Sequence, residues 1–124
     1  MKYFVSRLIA VLLLFSLVLP CSALTFEELA GTYVGHRTET WPDGVHRYDE
    51  IDVFTADGFV YNYLYQDGVL IYTSSAQLRS SEDGTVWEGD QFSIELHGNH
   101  LEVIANFGEI QVHVKTHRTN KSVL

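Results

Sequence analysis

Six histidines and a sparse set of arginines and carboxylates are the side chains of this sequence that could do chemistry. Four of the histidines crowd together: "IELHGNHLEV" sets His97 and His100 on either side of Gly98-Asn99, and "IQVHVKTHR" carries His113 and His117. Imidazole is a preferred ligand of zinc and copper. Three imidazoles on neighbouring strands, with Cβ atoms about 5 Å apart, can converge on one ion at Zn–N near ~2 Å. The same residues serve equally as polar decoration on a solvated sheet face, and no Cys-His spacing motif accompanies them. A catalytic zinc would further need a cleft and an open fourth position, which a convex sheet wall does not offer. The carboxylates Asp49, Glu50 and Asp52 read as solvated or ion-paired, since Asp49 alternates in facing with the other two. Nothing pairs a nucleophile with an oriented base, so the chain is expected not to be an enzyme.

The elements that position these groups begin after residue 23. "MKYFVSRLIAVLLLFSLVLPCSA" has Lys2 and Arg7, then an apolar run from Leu8 to Leu19, then the small residues Cys21-Ser22-Ala23. That is the pattern of a secretory signal cleaved after Ala23. The alternative, a lipoprotein anchored at Cys21, wants a small residue where Pro20 stands. The expected location is secreted or periplasmic, with 24–124 as one small domain. The chain's single cysteine leaves with the signal, so no disulfide can staple the domain. Of 8 Lys and Arg, two lie in the signal; the remaining 6 face 16 Asp and Glu, a net charge of −10. That balance argues against nucleic acid and anionic membrane surfaces. No second apolar run is long enough to span a bilayer.

"LTFEELAG" signals a short helix, with Thr25 as cap, Glu28 completing a capping box and Gly31 ending it. Turn punctuation then recurs at Trp41-Pro42-Asp43-Gly44, Ala56-Asp57-Gly58, Asp67-Gly68, Glu82-Asp83-Gly84, Gly89-Asp90, Gly98-Asn99 and Gly108-Glu109. Between the turns lie segments rich in Tyr, Phe, Val, Ile and Thr, the residues that suit a pleated surface. They predict an all-β fold: an eight-stranded antiparallel up-and-down meander over 31–40, 45–55, 59–66, 69–79, 85–88, 91–97, 100–107 and 110–117. Such a meander protects its edges best by closing into a small barrel, plugged by the 25–30 helix. A sequon at Asn120-Lys121-Ser122 matters only in a eukaryotic source.

Turn geometry then predicts facing. A type I turn with a Gly bulge at 41–44 would set Glu39 against Arg47 and Arg37 against Asp49, meeting opposite charges twice. The turn at 56–58 sets Val53 against Tyr61 and Ile51 against Tyr63. The Asp67-Gly68 turn sets Tyr65 against Leu70 and Tyr63 against Tyr72. Ile51, Val53, Tyr61, Tyr63, Tyr65 and Tyr72 then share an inner face with Arg37 and Arg47. Glu50, Asp52 and Asn62 face outward. In the last strands Phe92, Ile94, Leu96, Leu101, Val103, Ala105, Val112 and Val114 form a core face. His97, His100 and His117 line up on the opposite side.

Four tyrosines on one inner face admit two readings. Either Tyr61, Tyr63, Tyr65 and Tyr72 plug the barrel with their hydroxyls bonded at its mouth, or they line a small-molecule pocket. Arg37 and Arg47 could grip a ligand carboxylate or phosphate, or be neutralised as rim ion pairs.

The opening "LAGTYVG" resembles that of the lipocalin and fatty-acid-binding (calycin) superfamily, where a short helix leads into Gly-x-Trp. Here Gly31-Thr32-Tyr33 carries Tyr in place of Trp. The resemblance implies an Arg from the last strand packed over that aromatic, a role open to Arg118, and an Arg-Arg-Tyr set around a ligand's carboxylate. It points to a non-enzymatic carrier of a small apolar or amphiphilic, possibly anionic, ligand, with no resident cofactor. A protein-binding module of inhibitor or immunity type, using its acidic surface, is the second expectation. A zinc-binding accessory role through His97, His100 and His117 is the third.

Overall fold

The structure is a computed structural model that describes residues 25–82 and 84–119. The signal segment 1–23 and the sequon at 120–122 lie outside the described residues. The described residues form one short helix, α1 (Phe26–Leu29), and nine strands: β1 (Gly31–Trp41), β2 (Gly44–Phe54), β3 (Phe59–Gln66), β4 (Val69–Gln77), β5 (Arg79–Ser80), β6 (Trp87–Glu88), β7 (Phe92–His97), β8 (His100–Phe107) and β9 (Ile110–Thr119). Nine replace the expected eight because the segment 69–79 divides at Leu78. Gln77 still pairs with Phe59 on β3, whereas Arg79 pairs with Glu88 on β6.

All nine strands belong to one antiparallel sheet in the order β4-β3-β2-β1-β9-β8-β7-β6-β5. Each strand neighbours its sequence neighbour, except that β1 pairs with β9 and the sheet ends fall at β4 and β5. The sheet curls into a half-barrel rather than a closed one. Its two end strands are joined through Leu78, whose N–H donates to the Gly58 carbonyl at 2.7 Å. Among the described residues no helix is long and apolar enough to cross a membrane.

Turn chemistry accounts for the registers. Asp67 and Gly68 have φ of 53° and 79°, the paired positive values of a type I′ hairpin turn. Gly98 and Gly108 have φ of 63° and 62° and lead two-residue turns, which place His97 opposite His100 and Phe107 opposite Ile110. At the first hairpin the expected bulge is absent. Trp41 pairs with Gly44 around a Pro42-Asp43 turn, so Glu39 opposes His46 and Arg37 opposes Tyr48. That one-residue difference inverts β2 relative to β1 and, through β2, inverts β3 as well.

The sides of β2 and β3 are therefore the reverse of those expected. Tyr33, Asp52, Asn62 and Ser74 form one row across β1 to β4 on the inner face. Ile51, Val53, Tyr61 and Tyr63 point the other way. Between Leu64 and Tyr65 the β3–β4 register slips, so that Leu64, not Tyr63, opposes Tyr72. The slip leaves Ile71 unopposed and returns Tyr72 to the inner phase. The faces of β7, β8 and β9 are as expected: Ile94, Leu101, Ala105, Val112 and Val114 are buried.

α1 closes one end of the curl. Thr25 Oγ1 accepts from the Glu28 N–H at 3.3 Å, and Leu29 is buried with Tyr33, Phe54, Val60, Leu78, Trp87, Ile94 and Leu101. Each of the larger apolar side chains is worth about 1.5–3 kcal/mol on burial, enough to hold a four-residue helix that could not form alone. Tyr33, fully buried, ties three elements together. Its hydroxyl donates to the Leu29 carbonyl at 2.7 Å and accepts from Arg118 Nε at 3.1 Å, while the guanidinium lies 5.2 Å from the ring centroid. Arg118 Nη2 also reaches the Glu28 carbonyl at 2.5 Å. Burial raises the Tyr33 phenol above its ordinary pKa, and Arg118 partly offsets the rise.

Candidate functional site

Beyond the α1 end, the curl encloses a cavity of about 240 Å³. Its two walls differ in chemistry. On one side β1 to β4 contribute the polar Arg37, Glu50, Asp52, Asn62, Tyr72 and Ser74 together with the apolar Phe54, Val60 and Ala76; on the other, β7 to β9 contribute only apolar side chains, among them Phe92, Ile94, Val103, Ala105, Val112 and Val114. The apolar wall is the period-two face of three regular strands. The polar wall exists because β2 and β3 turn a Glu-x-Asp and an Asn inward, against the usual pattern of a half-solvated sheet.

The polar wall is wired as a chain. Ser74 Oγ donates to Asn62 Oδ1 at 3.2 Å, and Asn62 Nδ2 donates to Asp52 Oδ1 at 2.6 Å. Arg37 Nη1 donates to Glu50 Oε1 at 3.4 Å, and its Nε donates to Glu39 Oε2 at 2.7 Å. Glu39 Oε1 accepts a further bond from Trp41 Nε1 at 2.9 Å. Glu50 and Asp52 are 2% and 1% exposed, and Asp52 Oδ2 has no hydrogen-bond partner. Burial pushes the Glu50 carboxyl up to about 10, helped by the neighbouring Asp52 and opposed by Arg37. Burial raises Asp52 too, against the pull of Glu50, Asn62 and Arg37. Two carboxyls this dry and this close cannot both ionise freely, so at neutral pH the pair holds a proton.

Of the residues expected to line a pocket, Arg37 and Tyr72 do so. Arg37 is held by Glu39 and Glu50 rather than by Asp49, and Tyr72 arrives through the β3–β4 slip while remaining 57% exposed. Tyr61 is exposed, Tyr63 and Tyr65 are half-buried, and none of the three lines the cavity. Arg47 is exposed and borders a shallow outer depression with His36, Tyr48 and Tyr65. The cause in each case is the β1–β2 register. The expected ion pairs Glu39–Arg47 and Arg37–Asp49 give way to Thr38–Arg47 and His36–Asp49 neighbours, the latter hydrogen-bonded at 3.0 Å.

The histidine row is present in register, His97 opposite His100 and His100 opposite His117. Among the described residues no group of three or more His, Cys, Asp or Glu side chains is placed to hold an ion. His97 instead contacts Glu95 at 3.1 Å, and His113 contacts Glu102 at 2.7 Å.

Sequence reasoning missed Glu50, Asp52, Asn62 and Ser74. A signal was available: Phe54, Val60 and Leu64 share their phase, and aliphatic side chains are a better mark of the inner face than tyrosines, whose hydroxyls suit an outer one. Comparison with known proteins returns no match, whether to a family model, a curated protein or a solved structure.

Proposed function

We propose that this chain is a non-enzymatic binding protein that holds one small amphiphilic ligand in the concave face of its half-barrel, outside the cytoplasm. The observation that carries the reading is a cavity in which a hydrogen-bonded cluster of polar side chains on the β1–β4 side faces an apolar β7–β9 side. A few placed polar groups in an apolar hollow are the usual anatomy of a ligand site. The site has no nucleophile beside a base, which favours binding over turnover. The stacking of Arg118 on Tyr33, which the lipocalin resemblance implies, supports kinship with that group of carriers. The signal pattern of residues 1–23 supports export.

The test is native mass spectrometry of the exported protein, purified without denaturation, together with titration of an apolar fluorescent probe. The expected protein mass is that of cleavage after Ala23, with a bound organic adduct. Ala105→Phe fills the cavity from the apolar wall and should weaken probe binding by at least about tenfold while the protein stays folded; overpacking costs about 1–3 kcal/mol. A bare mass, with probe affinity equal in both proteins, would refute the reading.

A second reading rests on β4. Val69, Leu70, Ile71 and Tyr72 are 63%, 47%, 48% and 57% exposed on a strand that ends the sheet. An unpaired apolar edge can accept a strand from a protein partner. Ile71→Lys should then abolish partner capture and leave the cavity's probe affinity intact. Loss of the probe with capture retained would point back to the cavity.

A further inference from the structure

Resting on the carrier reading, we infer that the cavity takes a small amine in its protonated form, the ammonium seated on Asp52 beside Glu50 and the apolar body against β7 to β9.

Three observations lead there. The first is the free acceptor. Asp52 is 1% exposed and lines the cavity, its Oδ1 is taken by Asn62, and its Oδ2 has no partner. A buried carboxylate oxygen left unpaired is costly, and what satisfies it must be a donor. Asn62 is committed to Asp52, Ser74 to Asn62, and Arg37 to Glu39 and Glu50. A donor brought by a ligand would satisfy Oδ2.

The second is charge. Arg37 is the one guanidinium among Glu39, Glu50 and Asp52. One shared proton still leaves this group with a net negative charge, inside a chain whose formal charge is −8. An anionic head, which Arg37 might have held had it been free, would meet this excess in a low-dielectric wall. A cation offsets it, and an N⁺–H···O⁻ bond is among the strongest available. A neutral hydroxyl could satisfy Oδ2 but would leave the charge uncompensated.

The third is size. The cavity's 240 Å³ lies between the ~150 Å³ hollow that holds benzene and the ~300 Å³ at which drug-sized sites begin. One ring, or a short chain, plus a head group fills it. The wall facing the carboxylates is Phe92, Ile94, Val103, Ala105, Val112 and Val114, with no charge on it.

The experiment is calorimetric titration of the mature wild-type protein at neutral pH and low salt with three probes of one body and different heads: 2-phenylethylamine, 2-phenylethanol and 3-phenylpropionate. The amine should bind at least about tenfold more tightly than the alcohol, and the carboxylate should give no heat. Asp52→Asn, which keeps the shape and the Asn62 bond, should erase the amine's advantage. Equal affinity for amine and alcohol, or tighter binding of the carboxylate, overturns the amine assignment and leaves the carrier reading standing. No binding by any of the three, with the apolar probe also excluded, overturns both.

Discussion

Gly35→Ala should lower stability by about 3 kcal/mol, and the melting temperature by roughly 12–24 °C for a domain of this size. Gly35 sits on the inner face of β1 between Glu50 on β2 and Thr116 on β9. A Cβ there would lie 2.1 Å from the Lys115 carbonyl oxygen and 2.7 Å from Thr116 Cα. These are backbone atoms, so no rotamer change can relieve the overlap; β1 and β9 must separate. They form the strand pairing that hydrogen-bonds β1 to β4 onto β5 to β9. The substitution should also loosen the cavity, whose polar and apolar walls belong to those same halves. Chemical denaturation beside wild type would check it. A loss under ~1 kcal/mol would mean that the close approach of β9 is not required for the fold.

Glu50→Gln should stabilise the protein by about 2–4 kcal/mol at pH 8 and remove most of its pH dependence above pH 5. The sign follows from the raised carboxyl. In the unfolded chain Glu50 releases its proton near its ordinary value of 4.5; in the native state it keeps the proton up to about 10. Between those values folding takes up a proton. The contribution of Glu50 is thus fully present below the unfolded pKa and is lost as pH rises toward the folded one, by up to about 1.4 kcal/mol per pH unit. Glutamine mimics the neutral carboxyl and retains an acceptor for Arg37, so its advantage should grow with pH and vanish near pH 4. Denaturant midpoints of both proteins at pH 5 and pH 8 would decide it. Wild-type midpoints equal at the two values would show that Glu50 ionises inside the fold without penalty.

Much of the architecture was legible along the chain. Turn residues announce themselves locally, since only Gly, Asn and Asp adopt positive φ cheaply. Thus the hairpins at Asp67-Gly68, Gly98-Asn99 and Gly108-Glu109 could be placed to the residue, and with them the β7–β8–β9 registers and their apolar face. The helix cap at Thr25 was also visible as residue types in order, and the approach of Arg118 to Tyr33 was what the lipocalin resemblance implied. The division at Leu78 was not. Nothing local distinguishes a strand that continues along one partner from one that passes to another.

The site itself depended on one residue of register. With Trp41 opposite Val45 the tyrosines would fill the interior and Glu50, Asp52 and Asn62 would meet solvent; with Trp41 opposite Gly44 the two sets change places. Pairwise charge matching favoured the first, because surface ion pairs are countable in a sequence. Such pairs are worth only about 0–1 kcal/mol each and could not outweigh the packing of Tyr33, Phe54, Val60 and Leu64 on one common face. The sequence by itself thus determined an acidic composition and a meander of antiparallel hairpins, because composition and turn chemistry act over a few neighbouring residues. Only the tertiary structure decided that carboxylates line its hollow and that its sheet stays open, because facing and closure are set by contacts between strands far apart in the chain.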